Sequence, residues 1–114
     1  MTRHFRKNSN GFFQKVYDFA CKIPVGKVAT YGQIACVLGR PGSARIVGYA
    51  ISNAPIELNL PCHRIVNRDG EMAPEYVFGG AGNQRCALES EGVTFLGNGC
   101  VDMEKHQWNG TVDA

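Results

Sequence analysis

Pro61-Cys62-His63-Arg64 sets a thiol beside an imidazole and a guanidinium, behind a proline that stiffens the turn. A thiol becomes a good nucleophile when it ionises, and nearby positive charge or a histidine base lowers its pKa. The tetrapeptide therefore holds the parts of a nucleophilic site, with Cys62 as the attacking sulfur and His63 as its base. The same residues have a plainer reading: a buried cysteine is most often an inert small hydrophobe, and its histidine neighbour a satisfied core or surface residue. The choice between these readings rests on the elements that deliver the four residues.

Gly11 to Lys22 spaces Phe12, Phe13, Val16, Tyr17, Phe19 and Ala20 along one face of a helix, which Pro24 and Gly26 end. Ahead of it, residues 1–10 read as a basic arm carrying Arg3, Arg6 and Lys7. Thr30 is placed to cap a second helix, Tyr31 to Leu38, with Ile34, Ala35 and Leu38 inward and Gly39 as its stop. After the turn Arg40-Pro41-Gly42, Ser43 is placed to cap a third helix running to about Asn53. Its inward residues are expected to be Ile46, Val47, Ala50 and Ile51, leaving Arg45, Gly48, Tyr49 and Ser52 for other work. Two short helices joined by a tight turn form a helix-turn-helix. Asn67-Arg68-Asp69-Gly70 supplies a further turn, near which a short strand or hairpin would serve as a wing. Pro74 and Gly79-Gly80 mark a loop, Asn83 to Glu91 is helical and stops at Gly92, and Phe95, Leu96, Val101, Met103 and Trp108 are packing residues of the tail. The expected fold is mainly α: a single winged helix-turn-helix DNA-binding domain with a small β hairpin, covering residues 11–114.

Composition narrows the setting. The chain has 114 residues, enough for one domain, so binding and chemistry must share it. Its 44% apolar and 19% charged content suits a globular protein, and no apolar stretch approaches the length of a membrane span. The basic N-terminus lacks the apolar run and cleavage site of a secretory signal, so a cytoplasmic location is expected. Five cysteines with no CxxC pair argue against a disulfide framework and against a structural zinc, and no metal or cofactor is expected. A net charge of +2 is compatible with nucleic-acid binding without requiring it.

The order of these segments carries more than any one of them. Pro24-Val25-Gly26-Lys27-Val28-Ala29-Thr30-Tyr31-Gly32-Gln33-Ile34-Ala35, then Ala44-Arg45-Ile46-Val47-Gly48, then Pro61-Cys62-His63-Arg64-Ile65-Val66, then Gly79-Gly80 leading to Glu91-Gly92, resembles the DNA-binding and active-site domain of the O6-alkylguanine-DNA alkyltransferases. The resemblance implies that Cys62 accepts the alkyl group from a flipped guanine in a single turnover. His63 would act on it through a water, and Glu91 would orient His63. Tyr31 would crowd the backbone phosphate to rotate the nucleotide, and Arg45 would enter the base stack in its place. Ala44 and Gly48 would let the helix approach the minor groove, and Arg64 would meet the DNA. Tyr31, Asn53, Pro61, Val77 and Phe78 would line the guanine pocket. The implied partner is duplex DNA containing O6-alkylguanine, bound by a monomer that is nucleoid-associated when on DNA. Taken singly, Tyr31 is also readable as a surface aromatic, Arg45 as a solvated charge and Glu91 as a helix-end residue; the joint order is what favours the functional reading.

Three departures from the family pattern stand out. Many members carry an extra N-terminal domain where this chain has residues 1–10. Val77 and Phe78 replace the tyrosine and small hydroxyl residue that the transferases tend to place before the glycines, which favours bulkier or differently shaped alkyl groups. Asn53 stands one residue further from the cysteine than the pattern expects. The length and the tail from Gly92 to Trp108 also resemble the alkyltransferase-like proteins, which bind the same lesions without repairing them and signal to other repair systems, nucleotide excision repair proteins among them. Those proteins usually replace the cysteine, commonly with tryptophan; this chain keeps Cys62. A third reading, a helix-turn-helix regulator with a structural Cys62, would need more base-reading residues than the stretch from Arg45 to Asn53 offers.

Overall fold

Helix α1 (Arg3–Ala20) lays Phe12, Val16, Phe19 and Ala20 into the main core. The computed structural model describes residues 3–74 and 82–111, with side chains from residue 11 onward. The helix expected from Gly11 therefore begins at Arg3, and residues expected to form an arm are helical. Glycine is a poor interior helix residue, which is why the sequence pattern stops there.

After α1 come β1 (Ala29–Thr30), α2 (Tyr31–Val37) and α3 (Ala44–Ser52). Two single-turn 3-10 segments follow, Ile56–Leu58 and Cys62–Arg64, and then β2 (Ile65–Val66), α4 (Asn83–Ser90) and α5 (Met103–His106). Helix α3 packs on α2 and α1 as a helix-turn-helix on a supporting helix, with Ile34, Ala35, Val47 and Ala50 fully buried between them. Ile46 is 40% exposed instead of inward. Val47, Ala50 and Ile51 already fill the buried stripe at i, i+3 and i+4, and Ile46 falls outside it.

Thr30 caps α2 as expected: its hydroxyl accepts from the Gln33 amide at 3.0 Å, and the Gln33 side chain accepts from the Thr30 amide at 3.1 Å. Ser43 stands at the corresponding position of α3 without a side-chain capping bond.

The small sheet is not a hairpin. Strands β1 and β2 run parallel, with Ala29 opposite Ile65 and Thr30 opposite Val66. The turn expected to reverse the chain is closed on itself, since the Asn67 side chain accepts from the amides of Asp69 and Glu71. Gly70 then docks its carbonyl on the Val101 amide at 2.9 Å. Val28, Val66, Leu88, Val93 and Val101 form a second core there. The tail closes over β1, where Val28 donates to His106 and Trp108 donates back to Val28.

Candidate active site

Cys62 opens the 3-10 turn that leads straight into β2, so the core that holds Ile65 and Val66 fixes the sulfur's position. Pro61 precedes it, and a tight bond from the Cys62 amide to the Leu60 carbonyl at 2.8 Å sets the entry. Burial pushes the Cys62 thiol up, opposed by a backbone hydrogen bond. The resting sulfur is therefore protonated, contrary to the depression expected from its basic neighbours. Two phenols are coupled to its ionisation: burial raises Tyr17 and Tyr31, and a thiolate at Cys62 would raise both further. Tyr17 donates to the Ala50 carbonyl at 2.9 Å, and Tyr31 is the first residue of α2.

The basic neighbours are turned to Glu91, the residue that caps α4. His63 Nε2 lies 2.9 Å from Glu91 Oε2. Arg64 grips both oxygens, with Nε 2.9 Å from Oε1 and Nη2 2.8 Å from Oε2, while Nη1 donates to the Ile23 carbonyl at 2.8 Å. The Arg64 bonds are the chief reason that the Glu91 carboxyl is held down to about 2, with His63 adding to it against the cost of burial. An ionised carboxylate only accepts, so His63 donates from Nε2 and a neutral ring presents Nδ1 as the open acceptor. Arg64, expected on the DNA, is 14% exposed and spent inside the protein. A guanidinium beside a carboxylate takes the bidentate geometry in preference to solvent.

Helix α4 contributes a second residue that the sequence reading missed. Gln84 is 4% exposed; its Nε2 donates to the carbonyls of His63 at 3.1 Å and Ile65 at 3.2 Å, and its Oε1 accepts from the Ala73 amide at 2.7 Å. The only signal available was its spacing, four residues before Leu88 and seven before Glu91, which is one helix face.

The other expected site residues divide. Tyr31 lines a cavity of about 430 Å³ together with Ile65, Val66, Met72, Ala73 and Pro74. Gly48 lies over the Tyr31 ring, where an added Cβ would sit at ordinary contact distance (3.8 Å), so the packing of α3 on α2 does not itself require a glycine there. Arg45 is exposed on α3, and Ala44 is half-buried at its start. Tyr49, one turn beyond Arg45, is 63% exposed with its ring edge against Phe13. The Asn53 amide caps α3 by donating to the Tyr49 carbonyl at 2.9 Å, which turns it to its own helix. Val77, Phe78, Gly79 and Gly80 lie outside the described residues. Among the described residues, no three His, Cys, Asp or Glu side chains converge as metal ligands would.

Comparison with known proteins gives a consistent result. A family profile described as "6-O-methylguanine DNA methyltransferase, DNA binding domain" matches residues 11–93. Alkyltransferase-like protein 1 of Schizosaccharomyces pombe is 40% identical over 101 residues, covering 85% of this chain and 94% of that protein. A methylated-DNA–protein-cysteine methyltransferase of Shigella flexneri is 41% identical over 85 residues, covering 75% of this chain and 48% of its own length. An S. pombe protein solved in complex with damaged DNA containing O6-carboxymethylguanine superposes with a TM-score of 0.75 at 36% identity, covering 88% of this chain and 96% of that one.

Proposed function

The chain belongs to the 6-O-methylguanine DNA methyltransferase family, and from that premise we propose that it repairs O6-alkylguanine in duplex DNA by moving the alkyl group onto Cys62, once per molecule. The observation that carries this reading is Cys62 set next to a histidine whose ring is held by an ionised Glu91, itself locked by Arg64, directly behind a helix-turn-helix.

Tyr31 heads α2, exposed Arg45 stands in the first turn of α3, and Gly48, one turn on, lies against the Tyr31 ring. Tyr31 crowds the phosphate of the target nucleotide, and Arg45 fills the gap left in the stack, at the minor groove, where backbone contacts suit a protein that inspects many sequences. Cys62 then gives its proton through a bridging water to His63 Nδ1. Its sulfur attacks the alkyl carbon in line, forming the S–C bond as the C–O6 bond breaks with its electron pair on oxygen. The departing base takes up, through water, the proton that the His63 imidazolium gives back, and becomes guanine. Glu91 stabilises the imidazolium formed on the way. No group here can displace the thioether, so the reaction stops at one event. A protonated resting thiol suits this chemistry, since an acceptor spent in one reaction must not be alkylated at random.

The test offers lesion duplex in several-fold excess and counts O6-methylguanine converted to guanine. Conversion should plateau at one lesion per protein; continued turnover would contradict the mechanism. Tight, lesion-selective binding without conversion would favour a second reading, in which the chain marks the lesion for other repair proteins. That reading draws its support from the alkyltransferase-like relative, which this chain covers almost end to end.

A further inference from the structure

Helix α4 holds His63 at two points. Glu91, at its C-terminal cap, takes the ring, and Gln84, in its first turn, takes the backbone carbonyl. The two residues are seven apart, two helical turns on one face, with fully buried Leu88 between them. The same Gln84 carboxamide accepts from the Ala73 amide, and Ala73 is a wall of the cavity that Tyr31 lines. Resting on the transfer reading above, we propose that Gln84 is a positioning residue that links the seating of the lesion to the placement of His63.

Only a carboxamide can fill this place. It donates twice and accepts once without charge, whereas glutamate cannot donate, lysine cannot accept and methionine does neither. On this proposal the flipped base seats against Tyr31 in the 430 Å³ cavity, where it would bear on the stretch from Met72 to Pro74. Any shift of Ala73 passes through one buried side chain to the carbonyl of His63, while Glu91 keeps the ring anchored. Because the resting thiol is protonated, transfer depends on where His63 stands, and displacement of a reacting group by about 1 Å is enough to cost about a hundredfold in rate. Lesion shape is thus read in the rate of transfer more than in affinity.

The experiment compares wild type with Gln84→Met and Gln84→Glu. It measures the transfer rate constant at saturating O6-methylguanine duplex, affinity for that duplex in a Cys62→Ala background, and the ¹⁵N shifts of the His63 ring. Both variants, shown folded by their melting curves, should lose about tenfold or more in rate constant with affinity within about threefold. Their ring shifts should move from those of wild type as the His63 backbone shifts, with Nε2–H still held by Glu91. Gln84→Glu, which still accepts from Ala73, keeps the test open should Gln84→Met fail to fold. Wild-type rate constants and ring shifts in a folded variant would overturn the proposal. If wild type transfers nothing, the transfer reading fails by itself; unchanged ring shifts in the variants would then overturn the role of Gln84 as well.

Discussion

At the scale of single residues, the site sets a thiol whose ionisation burial opposes beside a histidine ordered by Glu91. Burial keeps the Cys62 thiol above the ordinary thiol value of 9.0, so in the absence of DNA its alkylation by iodoacetamide should rise with pH and have its midpoint above that value. Full reaction at neutral pH would contradict the assignment. Glu91 shows the opposite shift, from 4.5 down to about 2. A depressed carboxylate stabilises the fold above its unfolded value, and that contribution is lost as pH falls from 4.5 towards 2. Glu91→Gln should flatten the pH dependence of melting in that window. It also leaves Arg64 without a counter-charge at 14% exposure, costing roughly 3 kcal/mol, to be read from denaturant unfolding. The pairing of Cys62 with His63 was legible in the sequence because the two are adjacent. The direction of Arg64 was not, because a guanidinium beside a thiol looks equally ready for DNA until Glu91, far along the chain, is seen to occupy it.

At the scale of elements, the site depends on how two short pieces begin and end. Thr30→Ala removes a reciprocal capping box and should cost about 1 kcal/mol in thermal or chemical denaturation. Since Tyr31 follows the cap directly, the same variant should bind lesion DNA more weakly. Gly70 has φ +80°, and a Cβ there would lie 3.0 Å from the Val101 carbonyl and 3.1 Å from the Met103 sulfur. Gly70→Ala should therefore cost about 2 kcal/mol or more, measured in the same way. The helices α2, α3 and α4 were legible to within a residue or two, because caps and the 3.6-residue period are local. The parallel pairing of β1 with β2 was not: each strand has two residues, too few to show a period, and its partner lies beyond the whole helix-turn-helix. Helix α5 is a single turn and had no signal of its own.

At the scale of the whole molecule, one domain carries both Tyr31 and Arg45, the pair proposed to act on DNA, and Cys62, the proposed acceptor. On the proposed mechanism selectivity for the lesion comes from the flipped state, because general attraction to the phosphate backbone does not distinguish damaged from undamaged duplex. Arg45→Ala should lower the preference for lesion over undamaged duplex about tenfold in competition anisotropy, with a smaller effect on binding to undamaged DNA. What the sequence conveyed at this scale was the order of its segments; the joint hold of α4 on His63 emerged only from the packed structure. The account stands or falls on where the alkyl group ends. The most direct measurement is the intact mass of the protein, with peptide mapping, after incubation with duplex DNA containing O6-methylguanine, alongside Cys62→Ala. The account requires a gain of one methylene, on the peptide that contains Cys62 and absent from the variant. An unchanged wild-type mass at saturating lesion DNA would contradict it.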